Sequence, residues 1–114
     1  MATGRNGDVA ALMEAMSDPT RVAVVELLSR APCRAGVLAD RIGTTPPTMS
    51  KHLRILLEVG LVSDERDPAD ARARIFRLQP ERVMAVRAWL DQLQAHWNEQ
   101  LGAFKRHAEK RSRR

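Results

Sequence analysis

Hydrophobic residues repeat every three or four positions along most of the chain, which is the spacing of amphipathic α-helices. The pattern predicts four short helices in the first half of the sequence, at residues 8–17, 19–30, 34–42 and 45–59. A longer segment, 80–110, has no internal proline and a single glycine, Gly102, so we expect one helix of about 45 Å there. The chain is therefore predicted to be mainly helical.

Residues that begin and end helices divide the pattern at the same places. Side chains that accept hydrogen bonds from first-turn amides stand at three predicted starts, Asp8, Asp18 and Thr45, and proline follows the last two. Glycine closes the third and fourth helices at Gly43 and Gly60, where a left-handed cap is favourable. The third and fourth helices are thereby predicted to be joined by a tight turn.

The stretch between the fourth helix and the long helix is typical of a β-hairpin. Its two predicted strands are 61–66 and 73–78, and residues 67–70 (DPAD) supply turn residues between them. Phe76 and Leu78 are expected to pack beneath the hairpin.

The fourth helix has an apolar stripe and an opposite polar face. The stripe consists of Met49, Leu53, Leu56 and Leu57, and the outward positions are Pro47, Thr48, Lys51, Arg54 and Glu58. Hydroxyls, histidine and cations on a projecting helix suit base edges in the major groove of DNA, and first-turn amides and hydroxyls suit phosphates. The alternative is a solvated helix surface, and His52, which flanks the stripe, also fits a structural histidine.

Four sequence segments, in their order and spacing, resemble the ArsR family of winged helix-turn-helix bacterial repressors. They are MSDPTR at 16–21, VLA leading to IG at 37–43, TMSKHLRIL at 48–56 and EVGLV at 58–62, within a resemblance that spans about residues 12–97. The resemblance implies one winged helix-turn-helix domain over 1–114. Its parts are a helix-turn-helix at 34–59, a wing at 61–78 and a dimerisation helix at 80–110.

The resemblance also implies how the chain contacts DNA. The fourth helix enters the major groove, and arginines of the wing reach phosphates, which add affinity without reading sequence. The predicted DNA contacts are Thr45, Pro47, Thr48, Ser50, Lys51, His52 and Arg54 on the helix, with Arg66, Arg72 and Arg74 on the wing.

The long helix carries a second apolar stripe. It consists of Val83, Val86, Leu90, Leu93, Trp97, Leu101, Phe104 and Ala108. The rest of the chain is too small to cover so long a face, so we expect a C2 homodimer, with recognition helices about 34 Å apart on an inverted repeat. The predicted interface is Leu12, Val86, Leu90, Leu93, Trp97, Leu101 and Phe104. The alternative is a stripe buried entirely within one chain.

Composition and charge narrow the class of protein. The 114 residues are 44% hydrophobic and 29% charged, which indicates one globular domain, and no apolar run approaches the roughly 18 residues of a membrane span. The net charge of +5 comes from residues 105–114, so the rest of the chain is neutral. Residues 1–8 lack the layout of a signal peptide, and we expect a cytoplasmic protein without a membrane partner.

The sequence predicts no enzyme, cofactor or metal site. It has no recognisable Ser, His and Asp grouping and no phosphate-binding glycine loop. Members of the ArsR family often bind metals through thiolates in the third helix or a carboxylate and histidines on the last, and neither set is present. His96 and His107 are three helical turns apart, so only a partner chain could bring them together with Asp91 or Glu99.

Cys33 is the single cysteine, which excludes an intrachain disulfide. Two roles remain open for it. It is a redox switch if its thiolate is exposed and stabilised by Arg34, and otherwise an inert small residue. The effector is unknown.

These features together predict a homodimeric, sequence-specific DNA-binding regulator, a repressor, that reads an inverted-repeat operator. The alternative from another class is a protein-interaction module, in which the long helix captures a partner helix and the chain does not bind DNA.

Overall fold

The computed structural model describes residues 5–112 of the chain and the side chains of residues 9–112. Over that part of the chain it contains five α-helices and three β-strands. In chain order they are α1 (Arg5–Ala15), α2 (Pro19–Arg30), β1 (Cys33–Arg34), α3 (Ala35–Ile42), α4 (Pro46–Glu58), β2 (Val62–Asp67), β3 (Asp70–Leu78) and α5 (Pro80–Ser112). The predicted fold, mainly helical with a small hairpin and a long last helix, is confirmed.

Two helices begin at the capping residues that the sequence predicts. Asp18 Oδ1 accepts hydrogen bonds from the amides of Thr20 at 2.7 Å and Arg21 at 3.3 Å, at the start of α2. Thr45 Oγ1 accepts a hydrogen bond from the Thr48 amide at 3.3 Å, at the start of α4. Both side chains satisfy amides that the first helical turn would otherwise leave without a partner.

The start of α1 differs from the prediction. The helix begins at Arg5, so Asp8 lies inside it and is not its N-cap. The side chain of Asp8 is outside the described residues. The helix ends at Ala15, two positions before the predicted end.

Glycine ends α3 and α4, with a shift of one position in the second. Gly43 is the C-cap of α3, at φ +82°. Gly60 lies one residue past the cap of α4, at φ +76°, and its amide donates to the Leu57 carbonyl at 3.1 Å. The next amide, of Leu61, donates to the Leu56 carbonyl at 3.0 Å. These two hydrogen bonds form a Schellman motif, which requires a left-handed residue at the position of Gly60.

The core lies where α1 to α4 meet the sheet. It consists of Leu12, Ala15, Val24, Leu28, Leu38, Ala39, Met49, Leu53, Leu56, Leu61, Val62 and Phe76. The predicted stripe of α4 is confirmed, with Leu57 half-buried at its edge. In α2 the buried residues are Val24 and Leu28, which lie one helical turn apart.

The three strands form an antiparallel sheet in the order β1-β3-β2. β3 is the central strand, pairing Phe76 with Cys33 of β1 on one side and with Asp64 of β2 on the other. Phe76 is buried and Leu78 packs against the core, as predicted. β1 was not predicted, because two residues are too short to give an alternating pattern, and Arg34 was predicted to begin the third helix.

α5 extends far beyond the body. Its 33 residues span about 50 Å, and the chain measures 74 × 35 × 21 Å. The radius of gyration is 19.9 Å, against about 13 Å for a compact domain of this length. No residue of α5 is buried, although Val86 packs against the core and α1 contacts the helix. The apolar stripe of α5 is therefore open along most of its length.

One residue of the predicted dimer interface lies elsewhere. Leu12 is only 1% exposed and belongs to the core of its own chain, so it is not part of the open stripe. Of the other predicted interface residues, Val86 is half-buried against the core, and Leu90, Leu93, Trp97, Leu101 and Phe104 are exposed. Among the described helices none is long and apolar enough to cross a membrane.

Candidate nucleic-acid interface

The outer face of α4 is a continuous polar surface. Because Met49, Leu53 and Leu56 are buried, the helix turns its predicted contact residues toward solvent. Those that are exposed are Thr45, Pro47, Thr48, Ser50, Lys51 and Arg54. Among the described residues, neither Lys51 nor Arg54 forms an ion pair, so both cations are available to an anionic partner.

The N-terminus of α4 presents hydroxyls and no free amides. Pro46 and Pro47 occupy its first two positions and have no N–H group. At the third position, the Thr48 amide donates to Thr45 Oγ1. At the fourth, the Met49 amide donates to the Thr45 carbonyl at 2.9 Å. The expectation that first-turn amides hold a phosphate is therefore wrong. The exposed Thr45 and Thr48 hydroxyls, 3.0 Å apart, are the groups that remain for such a contact.

His52 connects α4 to the other helices. Its ring is half-buried, and Nδ1 lies 3.3 Å from a guanidinium nitrogen of Arg21. Arg21 Nε donates to the Ala15 carbonyl at 2.5 Å, so one arginine joins α1, α2 and α4. This contact supports the structural interpretation of His52 that the sequence left open.

Asp18 lies beside the same group. Burial raises its pKa, but hydrogen bonds from the amides of Thr20 and Arg21, together with the charges of His52 and Arg21, outweigh burial and hold the pKa below the usual value. The carboxylate is thus ionised where it caps α2.

The wing carries arginines on the side of the sheet that faces α4. Side chains alternate along a strand, so Arg72 and Arg74 share a face of β3 with the buried Phe76. Arg74 pairs with Asp64 of β2 at 2.9 Å and lies opposite Arg66. Among the described residues, Arg66 and Arg72 form no ion pair.

A second ion pair ties the wing to the start of α3. Both Nε and a terminal nitrogen of Arg34 donate to Asp67 Oδ2, the former at 2.6 Å. Asp67 Oδ1 accepts from the Ala69 amide at 2.9 Å, which shapes the turn of the hairpin. The Ala69 amide and then the Arg34 guanidinium lower the pKa of Asp67. No sequence pattern predicts this pair, because its members are 33 positions apart and neither belongs to a periodic pattern.

A groove of about 710 Å³ separates α4 from the wing, and we call it the wing groove. It is lined by Arg34, Ala35, Gly36, Val37 and Asp40 around α3, Ser50, Leu53, Arg54 and Leu57 on α4, and Arg72, Ala73, Arg74 and Phe76 on β3. The groove brings together four of the predicted DNA contacts, from the helix and from the wing. Thr48, Lys51 and Arg66 do not line it.

The structure shows where the candidate metal ligands and the cysteine lie. Among the residues whose side chains are described, no three of His, Cys, Asp and Glu come close enough to hold a metal ion within one chain. His96 and His107 are exposed on α5, and a metal site formed across a dimer stays the alternative that the sequence left open. Cys33 is half-buried in β1, with Sγ 3.6 Å from the Ala31 carbonyl, and its redox role is likewise untested.

Two short helices joined by a tight turn, followed by a hairpin and a shared cationic surface, define a winged helix-turn-helix DNA-binding protein. A family model described as a helix-turn-helix domain matches residues 16–65. The HTH-type transcriptional regulator Rv2034 of Mycobacterium tuberculosis is 38% identical over 91 residues, which cover 80% of each chain. The chain belongs to the ArsR family of winged helix-turn-helix transcriptional regulators.

Two further similar proteins agree with this assignment. The transcriptional repressor SdpR of Bacillus subtilis is 36% identical over 55 residues, covering 48% of this chain and 61% of SdpR. The crystal structure of the ArsR family transcriptional regulator RHA00566 is 31% identical and superposes with a TM-score of 0.73. That match covers 86% of this chain and 97% of RHA00566.

Proposed function

We propose that this regulator is a homodimeric repressor that binds an inverted-repeat operator, with α4 in the major groove of each half-site. The observation that carries the proposal is the exposed polar face of α4 beside Arg66 and Arg72 of the wing, which form no ion pair among the described residues. In this arrangement 34–59 is the helix-turn-helix, 61–78 is the wing and 80–110 is the dimerisation helix of one domain, 1–114. The relative SdpR is named a transcriptional repressor, which supports repression rather than activation.

Base contacts come from the middle of the exposed face of α4. Lys51 and Arg54 are one helical turn apart and carry charges without an intramolecular partner among the described residues. They reach base edges, with Thr48 beside them, while Thr45, Pro47 and Ser50 flank the contact. Because His52 already contacts Arg21, its contribution is to hold the angle of α4, with only its outer edge available to DNA.

Phosphate contacts come from the wing. Arg66 and Arg72 are exposed and unpaired within the described part of the chain, while Arg74 shares its charge with Asp64. We therefore expect Arg66 and Arg72 to contribute more to the electrostatic part of the affinity than Arg74.

Dimerisation through α5 is supported by the exposure of its stripe. Trp97 is 56% exposed and Phe104 is 72% exposed, along a helix face whose other members are also apolar. Contiguous apolar surface of this kind marks an interface with another protein. A second copy of α5 presents the same face, which a two-fold axis makes self-complementary.

The test of the proposal is a footprint over DNA upstream of the gene at stated salt, followed by binding of the protected duplex. Two protected half-sites about one helical turn apart are expected. Replacing Lys51 and Arg54 with Ala removes about 1–3 kcal/mol per good base contact, which weakens binding at least about tenfold. The matched control, Arg30→Ala with Arg41→Ala, removes the same charge from exposed positions outside α4 and the wing.

The outcome that contradicts the proposal is equally specific. Equal losses in the two double variants mean that the outer face of α4 does not read the operator. If no duplex is protected and the chain still captures a partner through α5, the protein-interaction module is the better description.

A further inference from the structure

The wing groove has the size and the lining of a small-molecule site. Its volume of about 710 Å³ falls within the range of about 300–1,000 Å³ that is typical of ligand pockets. Its apolar lining consists of the exposed Val37 of α3 and the half-buried Leu57 of α4, above a floor formed by the buried Leu53 and Phe76. Apolar side chains exposed in a concavity favour an occupant with an apolar body.

The rim of the groove is cationic. Of its four arginines, Arg34 is paired with Asp67 and Arg74 with Asp64. Arg54 and Arg72 remain, one on each wall, without an ion pair among the described residues. Within the described part of the chain, Asp40 is the one carboxylate that lines the groove. Two free guanidinium groups facing one acid leave a net attraction for an anion.

The α3 wall is open because it contains a glycine. A Cβ built on Gly36 meets no atom within 4 Å, and its φ is not in the left-handed region. The position therefore tolerates a side chain without backbone strain, and a large one would occupy the groove.

We propose that the wing groove binds a small amphipathic carboxylate. Its apolar body lies against Val37, Leu57 and Phe76, and its carboxylate pairs with Arg54 and Arg72. Carboxylate binding competes with DNA binding, because Arg54 and Arg72 then pair with the ligand and cannot contact the duplex. The competition rests on the proposed function, whereas the binding itself does not.

The binding is tested with the full chain in the absence of DNA. The probes are 2-naphthoate, 4-phenylbutyrate and indole-3-acetate, and 2-naphthamide is the neutral control for the first. Calorimetry is expected to show saturable binding of at least one carboxylate with one site per chain, and about tenfold weaker binding of the amide. Amide NMR shifts are expected around Val37 and Leu57 and not on α5.

Two independent variants locate the site. Arg54→Gln with Arg72→Gln is expected to weaken binding about tenfold, while Arg30→Gln with Arg41→Gln, which removes the same charge elsewhere, leaves it unchanged. Gly36→Leu is expected to abolish binding by filling the groove. Its thermal midpoint should not fall, because leucine is a better helix former than glycine.

The results of these experiments distinguish a failure of the groove assignment from a failure of the proposed function. No saturable binding of any of the three carboxylates at millimolar concentration overturns the inference. It is also overturned if binding survives both Gly36→Leu and the double arginine variant. If the carboxylate binds and shifts an operator titration in proportion to its occupancy, the competition is supported, and occupancy without any such shift overturns it. A chain that binds the carboxylate and protects no DNA contradicts the proposed function and leaves the groove assignment standing.

Discussion

Arg34 and Asp67 join the start of the helix-turn-helix to the turn of the wing. Arg34 Nε lies 2.6 Å from Asp67 Oδ2, and the Asp67 side chain is only 11% exposed. The same carboxylate accepts the Ala69 amide through its other oxygen. One side chain therefore sets both the shape of the turn and its attachment to the body.

Replacing Asp67 with Asn is expected to weaken operator binding about two- to fivefold. Asn keeps an oxygen for the Ala69 amide and loses the charge that holds Arg34, so the wing is less firmly placed. The loss of a negative charge by itself favours DNA binding, so a decrease in affinity, measured by fluorescence anisotropy, isolates the positional effect.

The control for Asp67→Asn is a second carboxylate of β2, which pairs within the hairpin and not with Arg34. Glu65 pairs with Arg77 at 2.7 Å, and both side chains are about half exposed. Glu65→Gln removes the same charge without releasing the wing, so binding is expected to be unchanged or slightly tighter. If both variants weaken binding equally, the Arg34 pair does not position the wing.

The parts of the fold that were predictable from sequence are those encoded locally. Thr45 caps α4 and Met49, Leu53 and Leu56 fill its buried face, and each of these roles follows from neighbours within one or two turns. The polar face of α4 followed from the same periodicity. The Arg34–Asp67 pair needs the hairpin to fold back on β1, so no local pattern could reveal it.

Whether an apolar residue of a helix is buried in its own chain or exposed could not be predicted from its spacing. Periodicity marks Leu12 and Trp97 alike as apolar positions on helices, but Leu12 is buried within its chain and Trp97 is 56% exposed. The difference depends on where α1 packs against the body and where α5 leaves it. That is a property of the tertiary arrangement, and spacing along a helix does not contain it.

Asp18 and Asp67 make the free energy of unfolding depend on pH. Both carboxyls have a pKa below the ordinary value of 3.8 in the folded chain. As pH falls, the unfolded chain takes up these protons first, so the stability that the two groups contribute is fully present above 3.8 and is lost as pH falls through their lower folded values.

Urea unfolding at a series of pH values measures this contribution. Asp18→Asn and Asp67→Asn are expected to be less stable than the parent at neutral pH and to converge on it in strong acid. Glu26→Gln, at an exposed position of α2, serves as the control and should run parallel to the parent. A constant offset between either aspartate variant and the parent at all pH values would contradict the assignment.

Alanine variants of Gly43 and Gly60 distinguish the cost of backbone strain from the cost of side-chain crowding. Both have positive φ, but a Cβ at Gly43 meets nothing within 4 Å, whereas one at Gly60 lies 3.1 Å from Arg82 Nε. Replacing either with Ala is expected to cost about 1–2 kcal/mol through the left-handed backbone. The Gly60 variant should lose more than the Gly43 variant in urea titrations, since Arg82 must shift by a few tenths of an ångström. Equal losses would mean that Arg82 yields freely.

The exposed stripe of α5 gives the sharpest test of dimerisation. Leu93 and Trp97 lie one turn apart on that stripe, and replacing both with Glu places two charges in the proposed interface. We expect a monomer by sedimentation equilibrium and a loss of tight operator binding, because one recognition helix cannot span two half-sites. Gln92→Glu with Ala95→Glu adds the same charges to the opposite face of α5 and should remain a dimer. If the Leu93 and Trp97 variant still sediments as a dimer, the subunits meet through another surface and α5 has a different partner.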